Sequence, residues 1–587
     1  MGFSKVTSYF NIERKDYIYL VALLIFSFSL FTIKVLGYKE IGISDSDVII
    51  YLCNSLYYAG LNPNDIGGVS YLYSSPVICF LTGIIFRLWH VSPTPILLVT
   101  GGFEILGNIG LYILLRNRFN QLLSFFGTIL YTTSGLFLFH STSGMLDIPA
   151  VAISIWILIF TILAVDKNYR YYLIALPLLV FGVFTRPTVG FVLPLMVLYF
   201  LDRHDCTRLL DNIIHDRKAL KDELMAFFGS KEFKYISISL LISILITAII
   251  ILYHNLVFGL PVPFLGEFGK SMNGFESHKI WDYYYNTDKL FYIKQIPEFF
   301  AFKSVDVGRI YMFYIMAFVT VIGLVLKAVD LYRDRKSLKE NDNGGCLKTR
   351  NLEFVFLIIF AVLGFVSFKM NYIASEISFF LFFVVLSSLL KRYSFKHDHA
   401  LSLTMLAWFT FYLVFISYIN MKMERYFMPL FIPVCYLVVF SMDGLFEFFN
   451  IDLSRRKEFK LNRENVAVIV SLLFIVLLLF SAFATVNHNF DGVYIKRYNN
   501  YQNVTDYLME YDPDYMDKNI TTDRFHRFYS WFLNKPTDHI DTKIYPLSSF
   551  DSCNSDYVII GQKYKFENYT QLHHRGECYL YERNILV

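Results

Sequence analysis

Residues 17–36, from Tyr17 to Leu36, form an apolar run as long as the hydrocarbon core of a bilayer is thick. Runs of this kind recur at 94–114, 121–139, 147–165, 171–185, 188–201, 236–257, 309–329, 353–369, 374–390, 400–418, 426–443 and 465–485. A backbone inside lipid must satisfy its own hydrogen bonds, so a chain dominated by such runs folds as a helical bundle. The expected class is an all-α polytopic membrane protein with about 13 spans, several of them short. The composition agrees: 55% of the 587 residues are apolar and only 17% charged, with a mean hydropathy of +0.45. The net charge of +4 reflects loop Lys and Arg and does not describe a nucleic-acid surface.

Positive charge sets the expected orientation. Lys5, Arg14 and Lys15 precede the first span. Arg116 and Arg118, Lys167 and Arg170, the run from Arg203 to Lys234 and the run from Lys327 to Arg350 occupy alternate connections. So do Lys391, Arg392 and Lys396, and the group Arg455, Arg456, Lys457, Lys460 and Arg463. All fall on the cytoplasmic side if the first span, read as a signal anchor, runs outward. The stretch PVICFLTGIIFRLWHV (76–91) would invert that pattern if it crossed, so it is expected to lie on the outer surface with Arg87 and His90 toward water, the alternative being a re-entrant helix. The expected location is a plasma membrane, with the N-terminus cytoplasmic and the C-terminus external.

This divides the chain into a membrane domain, 1–487, and a polar external tail, 488–587. Loops 37–93, carrying juxtamembrane helices, and 258–308 belong to the outer face. The alternating stretches DYVIIGQKY and CYLYERNIL point to a small α/β domain. Its sequons at Asn503, Asn519 and Asn568 suit an external location, and Cys553 and Cys578 lie close enough in sequence to be considered as a pair.

Ionisable residues gather at the outer span ends. They are Asp45 and Asp47 in IGISDSDVIIY; Asp147 in SGMLDIPAVAISIW; Arg186 in FGVFTRPTVGFVLP; Lys422, Glu424, Arg425 and Tyr426 in KMERYFMPLFIPV; and Lys369 and Glu376. Each has a structural explanation. Asp147 ahead of Pro149 makes a good helix start, and Asp45 a helix cap. Arg186 can snorkel, and Arg425 with Tyr426 can anchor the interface. Yet outer edges of a positive-inside protein should be poor in Arg, and near-membrane charges are functional candidates with a partner to be named. Guanidinium groups suit phosphate, and carboxylates suit a general base or a metal.

The order of these motifs resembles the GT-C class of integral-membrane glycosyltransferases. It runs from a first span and an outer Asp motif through surface helices, an Asp-x-Pro span start and a Thr-Arg-Pro turn to an Arg-Tyr-x-x-Pro span and an external C-terminal domain. The branch it is most similar to holds the lipid A aminoarabinose transferases and the protein O-mannosyltransferases. The resemblance covers about residues 17–200 and returns at 422–433. It implies an inverting transfer of sugar from a polyprenyl-phosphate donor to a protein, lipid or glycan acceptor at the external face, with membrane lipid as a partner and no nucleic acid. It further implies Asp45 as base for the acceptor hydroxyl and Asp147 as a second carboxylate. Asp47 either shares the role of Asp45 as a second acid or metal ligand or only caps the surface helix, while Arg186 and Arg425 hold the donor phosphate beside Tyr426 and Tyr73. Whether a divalent cation (Mg or Mn) takes part is left open; if one does, Asp45, Asp47 and Asp147 are its ligands.

Two departures stand out. The first motif is Asp-Ser-Asp where many relatives have Asp-Glu, and YLYSSPVI places Ser75 where relatives often have Lys before Pro76. Other readings are an oligosaccharyltransferase, a transporter or lipid flippase, and a non-catalytic subunit. Against the first, IWDYYY (280–285) lies between spans. Against the second, no internal repeat is evident.

Overall fold

The computed structural model describes residues 12–41, 46–62, 64–66, 75–204, 206–215, 217–259, 286–301, 307–338, 347–368, 370–392, 399–449, 463–490, 493–523, 525–542 and 545–584. Asp45, Tyr73, Lys369, most of the 258–308 loop and the IWDYYY stretch lie outside them.

The first half of the membrane region comprises α1 (Asp16–Ile41), α2 (Ser46–Ala59), α3 (Pro76–Leu88), α4 (Thr94–Arg116), α5 (Gln121–Thr132), α6 (Gly135–His140), α7 (Asp147–Asp166), α8 (Tyr172–Thr185) and α9 (Val192–Arg203). The second half comprises α10 (Lys231–Phe258), α11 (Val307–Leu338), α12 (Leu347–Ser367), α13 (Tyr372–Arg392), α14 (Ala400–Tyr418), α15 (Phe431–Phe448) and α16 (Arg463–Phe490). The C-terminal unit holds α17 (Val493–Tyr511), α18 (His526–Leu533) and five strands: β1 (Ile520–Thr522), β2 (Asp538–His539), β3 (Tyr557–Ile560), β4 (Tyr569–Arg575) and β5 (Cys578–Arg583).

Among the described residues, nine helices are long and apolar enough to cross a membrane, and the chain is a multi-pass membrane protein. The helical stretches Tyr169–Thr185 and Asn351–Ser367 are apolar but shorter. Two further expected runs are helical and interrupted. The run 188–201 begins with a 3-10 turn, Pro187–Phe191, before α9. The run 121–139 breaks between α5 and α6, where Thr133 Oγ1 donates back to Ile129 O at 2.6 Å and Ser134 Oγ to Tyr131 O at 2.9 Å. Such back-bonding hydroxyls compete with the helix ladder and bend it. Asn120 and Ser230 cap α5 and α10, their side chains accepting from Leu123 N and Phe233 N at 3.0 Å each.

The two ends of the bundle differ. At one end, buried Asp16 takes Arg116 Nε at 2.6 Å and Tyr112 OH at 2.5 Å. Arg203 pairs with Asp166 at 3.1 Å, and Arg392 with Glu353 at 2.8 Å. The opposite end carries α2, α3 and the C-terminal unit. There α2 and α3 pack side by side, and Arg87 Nε donates to Ala59 O at the C-terminus of α2. Arg87 and His90 are exposed.

The C-terminal sheet has the order β2-β1-β3-β5-β4, parallel across β2, β1 and β3 and antiparallel across β3, β5 and β4. One face of it stands on a core of its own, Phe550, Val558, Ile560, Phe566, Tyr569 and Tyr581, while the other face joins the membrane region. Tyr501, Val504 and Leu508 of α17, Phe528, Tyr529 and Leu533 of α18, and Ile559 and Leu580 of the sheet share one buried cluster with Val48, Leu52 and Leu56 of α2. Cys553 and Cys578 are not joined in a disulfide and meet different partners: Cys553 Sγ contacts Phe550 O at 2.9 Å, and Cys578 Sγ meets Tyr529 OH at 3.8 Å. Asn503, Asn519 and Asn568 are all exposed.

Candidate functional site

Asp147 is the first residue of α7, and Pro149 occupies that helix's first turn. Its side chain does not cap the helix: the N-cap is Leu146, and no side-chain cap bond forms there. Instead the carboxylate, in a residue only 3% exposed, sits with Oδ2 2.7 Å from Arg186 Nη1. That contact is a charge contact; among the described residues Oδ2 has no hydrogen-bond partner. A carboxylate oxygen has more than one lone pair, so a donor from a ligand can still join Arg186 there.

Local chemistry sets Arg186. It ends α8 with its N–H bonded to Gly182 O at 2.8 Å and, preceding Pro187, is extended at φ −157°. The proline ring disfavours the helical conformation for its predecessor, and Arg186 turns off the helix axis. Gly182 permits the turn, because a Cβ there would stand 2.6 Å from Val189 Cγ1 and 3.0 Å from Ile153 Cγ2.

The second pair joins distant segments. Asp47, in the first turn of α2, receives Arg425 Nη2 on Oδ2 at 2.7 Å. Arg425 lies on the 3-10 turn Glu424–Leu430 that leads into α15, and its Nη1 lies 3.8 Å from Met145 Sδ, two residues before Asp147. Tyr426 links the pairs: its ring centre is 5.5 Å from the Arg186 guanidinium carbon and 6.0 Å from that of Arg425. Five of the seven candidate residues therefore lie in one cluster; Asp45 and Tyr73 are the two outside the described residues.

A glycine brings α2 against α7. Gly144 has φ +80°, and a Cβ there would stand 2.6 Å from Val48 Cγ1. The loop 141–146 can thus press on the first turn of α2 just before Asp147 begins its helix.

Charge is arranged closely enough to act across the cluster. Burial opposes ionisation of Asp47, but Arg425, then Arg527 and Arg186, outweigh it and hold the carboxyl below its ordinary range. The Tyr51 hydroxyl, one turn along α2, is pushed well up by burial and by the charge of Asp47. His140, at the end of α6, feels the charges of Asp147, Arg425, Lys34 and Arg186.

Sequence reasoning missed an intramembrane extension of this polar group. Glu104 of α4 is fully buried, its Oε2 accepting from Thr142 Oγ1 at 2.9 Å, and the charge of Lys34 on α1 acts on it. Thr142 holds the left-handed conformation, φ 47°. The signal was present: Glu104 is the only acid in the span 94–114.

Lys422 takes the structural reading. Its ammonium donates to Ile416 O and Ser417 O at 2.8 Å each, and to Ile419 O, closing the C-terminal end of α14. Among the described residues no three His, Cys, Asp or Glu side chains gather as a metal site. Asp47 and Asp147 each face a guanidinium, a pattern suited to an anion more than to a divalent cation.

Residues 74–216 match the family model described as dolichyl-phosphate-mannose-protein mannosyltransferase. That segment contains Asp147 and Arg186, and the chain resembles the GT-C class of membrane glycosyltransferases. Two solved structures are similar. The ArnT of Cupriavidus metallidurans bound to undecaprenyl phosphate superposes with a TM-score of 0.48 at 11% identity, over 96% of this chain and 97% of that one. The oligosaccharyltransferase of Archaeoglobus fulgidus in its apo form superposes with a TM-score of 0.49 at 12% identity, over 93% and 69%. No curated protein sequence matches the chain.

Proposed function

We propose that this protein is an inverting glycosyltransferase. It moves a sugar from a polyprenyl-phosphate donor to a hydroxyl acceptor at the membrane face carrying the C-terminal unit, which we take as the external face. The observation that carries the reading is the pairing of Asp147 with Arg186 and Asp47 with Arg425 around Tyr426. The matched family's description names a polyprenyl-phosphate sugar as donor, and two guanidinium groups suit that phosphate.

In the reaction the acceptor oxygen forms a bond to the anomeric carbon while the bond from that carbon to the phosphate oxygen breaks. The electron pair leaves with the phosphate, and the acceptor proton passes to a carboxylate. Polyprenyl phosphate leaves readily, so fixed positive charge replaces the general acid that a glycoside hydrolase needs. A phosphate entering between Arg186 and Arg425 competes for guanidiniums that hold Asp147 and Asp47. Donor binding then loosens both carboxylates as the acceptor arrives. By resemblance Asp45 is the base; Asp147, whose carboxylate can accept a further donor beside Arg186, orients the hydroxyl.

The test is transfer of radiolabelled sugar from polyprenyl-phosphate donors by purified protein, comparing wild type with Asp147→Asn and Asp45→Asn. Loss of transfer in both variants supports the reading. Wild type that neither transfers nor hydrolyses any labelled donor overturns it, and donor translocation without transfer would assign the site to a flippase.

A further inference from the structure

The connection from α6 to α7, residues 141–146, touches every part of the charged cluster. Its last residue, Leu146, precedes Asp147 at the start of α7. Gly144 stands against Val48 of α2, the neighbour of Asp47, and Met145 Sδ lies 3.8 Å from Arg425 Nη1. The backbone is left-handed at two places: Thr142 has φ 47° and Gly144 φ 80°. Glycine enters that region freely. A β-branched residue is strained there and stays only where its surroundings hold it.

Glu104 holds Thr142. It lies near the middle of the 23-residue helix α4, about 15 Å along the axis from the start. Its Oε2 accepts from Thr142 Oγ1 at 2.9 Å. Glu104 is 0% exposed and Thr142 1%, so water does not compete for the bond. Among the described residues the other oxygen, Oε1, has no hydrogen-bond partner. Gly101, one turn earlier in α4, leaves room for the contact. A Cβ there would stand 3.4 Å from Thr142 Oγ1 and would collide with the Phe31 ring of α1. Helix α4 thus offers a notch, closed by α1, in which the Thr142 hydroxyl meets the carboxyl. An acid at that depth in a span is costly to bury and is a functional candidate by default.

We infer that Glu104 is a positioning residue for the reaction site: its hydrogen bond to Thr142 fixes the left-handed course of 141–146 and so sets where Asp147 stands relative to Arg186 and Asp47. The kinetic consequences rest on the glycosyl-transfer reading above. Glu104 touches no reacting atom and acts through the connection. The two guanidiniums have other supports. Arg186 is set by its bond to Gly182 O and by Pro187, and Arg425 by the 3-10 turn Glu424–Leu430. Loosening the connection therefore disturbs Asp147, which orients the acceptor, more than the groups that hold the donor phosphate.

The experiment uses the full chain in lipid nanodiscs, with short-chain polyprenyl monophosphate as binding probe and labelled donor for kinetics. Amide hydrogen exchange across the connection and the first turn of α7 adds a readout that needs no turnover. In Thr142→Gly the hydroxyl is gone, but glycine accepts φ 47° without strain, so the fold is kept. Its kcat per probe-binding site is expected to fall on the order of tenfold, with donor KM and probe affinity within about twofold of wild type. Exchange in the connection should quicken. Glu104→Ala should behave alike, and the double variant should lose little more than either single one. Thr142→Ser keeps the hydroxyl and Glu104→Gln keeps an acceptor oxygen, so both should recover most of kcat. A merely structural role would lower the number of probe-binding sites and leave kcat per site unchanged. Wild-type exchange, or wild-type kcat per site, in both Thr142→Gly and Glu104→Ala would overturn the inference and leave the transferase reading intact. A wild type that turns over no donor would instead remove the transferase reading, and the exchange comparison would still decide whether Glu104 holds the connection.

Discussion

The Asp147 carboxylate lies 2.7 Å from the Arg186 guanidinium where the start of α7 meets the end of α8, yet its nearer oxygen makes no hydrogen bond among the described residues. A buried ion pair held this way is electrostatically committed and still open to a hydroxyl donor. It sets up the first prediction. Asp147→Asn keeps the volume and removes the charge, and should lower transfer on the order of 10²-fold or more. Arg186→Gln should lower donor affinity. The double variant should lose less than the product of the two single effects, because each single change leaves an uncompensated buried partner. Steady-state kinetics on the four proteins checks this; strictly multiplicative losses would contradict it.

The pair Asp47–Arg425 bears on pH. Asp47 is held below its ordinary value, so it stays ionised at neutral pH, and the pairing is lost only as pH falls through that depressed value. In Arg425→Gln the largest lowering charge is gone while burial remains, so the carboxyl titrates higher. The acid limb of the pH–activity profile should then shift upward relative to wild type. An unshifted limb would show that Asp47 does not govern it.

Gly144 makes a steric prediction. Gly144→Ala puts a Cβ 2.6 Å from Val48 Cγ1 on a residue with φ +80°. It should destabilise the protein by about 1–3 kcal/mol and disturb the approach of Asp47 to Asp147. Adding Val48→Ala should restore part of the activity, since it relieves the clash but not the backbone strain. Thermal unfolding and transfer rates of the single and double variants separate the two contributions.

His526, at the start of α18, gives a stability prediction. Burial, together with neighbouring His539 and Arg527, lowers it to about 3, and its Nδ1 has no hydrogen-bond partner among the described residues. The unfolded chain binds a proton near pH 6.5 and the folded chain does not. Stability should therefore fall as pH drops from about 6.5 toward 3, by at most about 1.4 kcal/mol per pH unit for this one group. His526→Gln should flatten that slope in thermal unfolding measured against pH, and an unchanged slope would assign the acid sensitivity elsewhere.

Much of this molecule is legible from local sequence. The strands β3 and β5 fall inside the alternating stretches DYVIIGQKY and CYLYERNIL, and the helices follow the apolar runs. The helix start at Asp147-Ile148-Pro149 and the pre-proline turn at Arg186 come from single-residue backbone rules. The site is less legible. Lys422 and Arg425 stand three residues apart in one stretch, yet the first closes a helix end and the second reaches Asp47. Nothing in the stretch distinguishes them, because the difference lies in what the neighbouring segments bring.

By itself the sequence determined that this chain crosses a membrane many times, roughly where its helices run, and that acids and arginines collect at the span ends. Hydropathy, capping and proline geometry depend only on a residue and its chain neighbours. The tertiary structure alone decided that Asp47 meets Arg425, that Glu104 receives Thr142, and that α18 packs on α2. Those contacts join segments far apart in sequence, and only the packing of one helix on another brings such side chains within bonding distance.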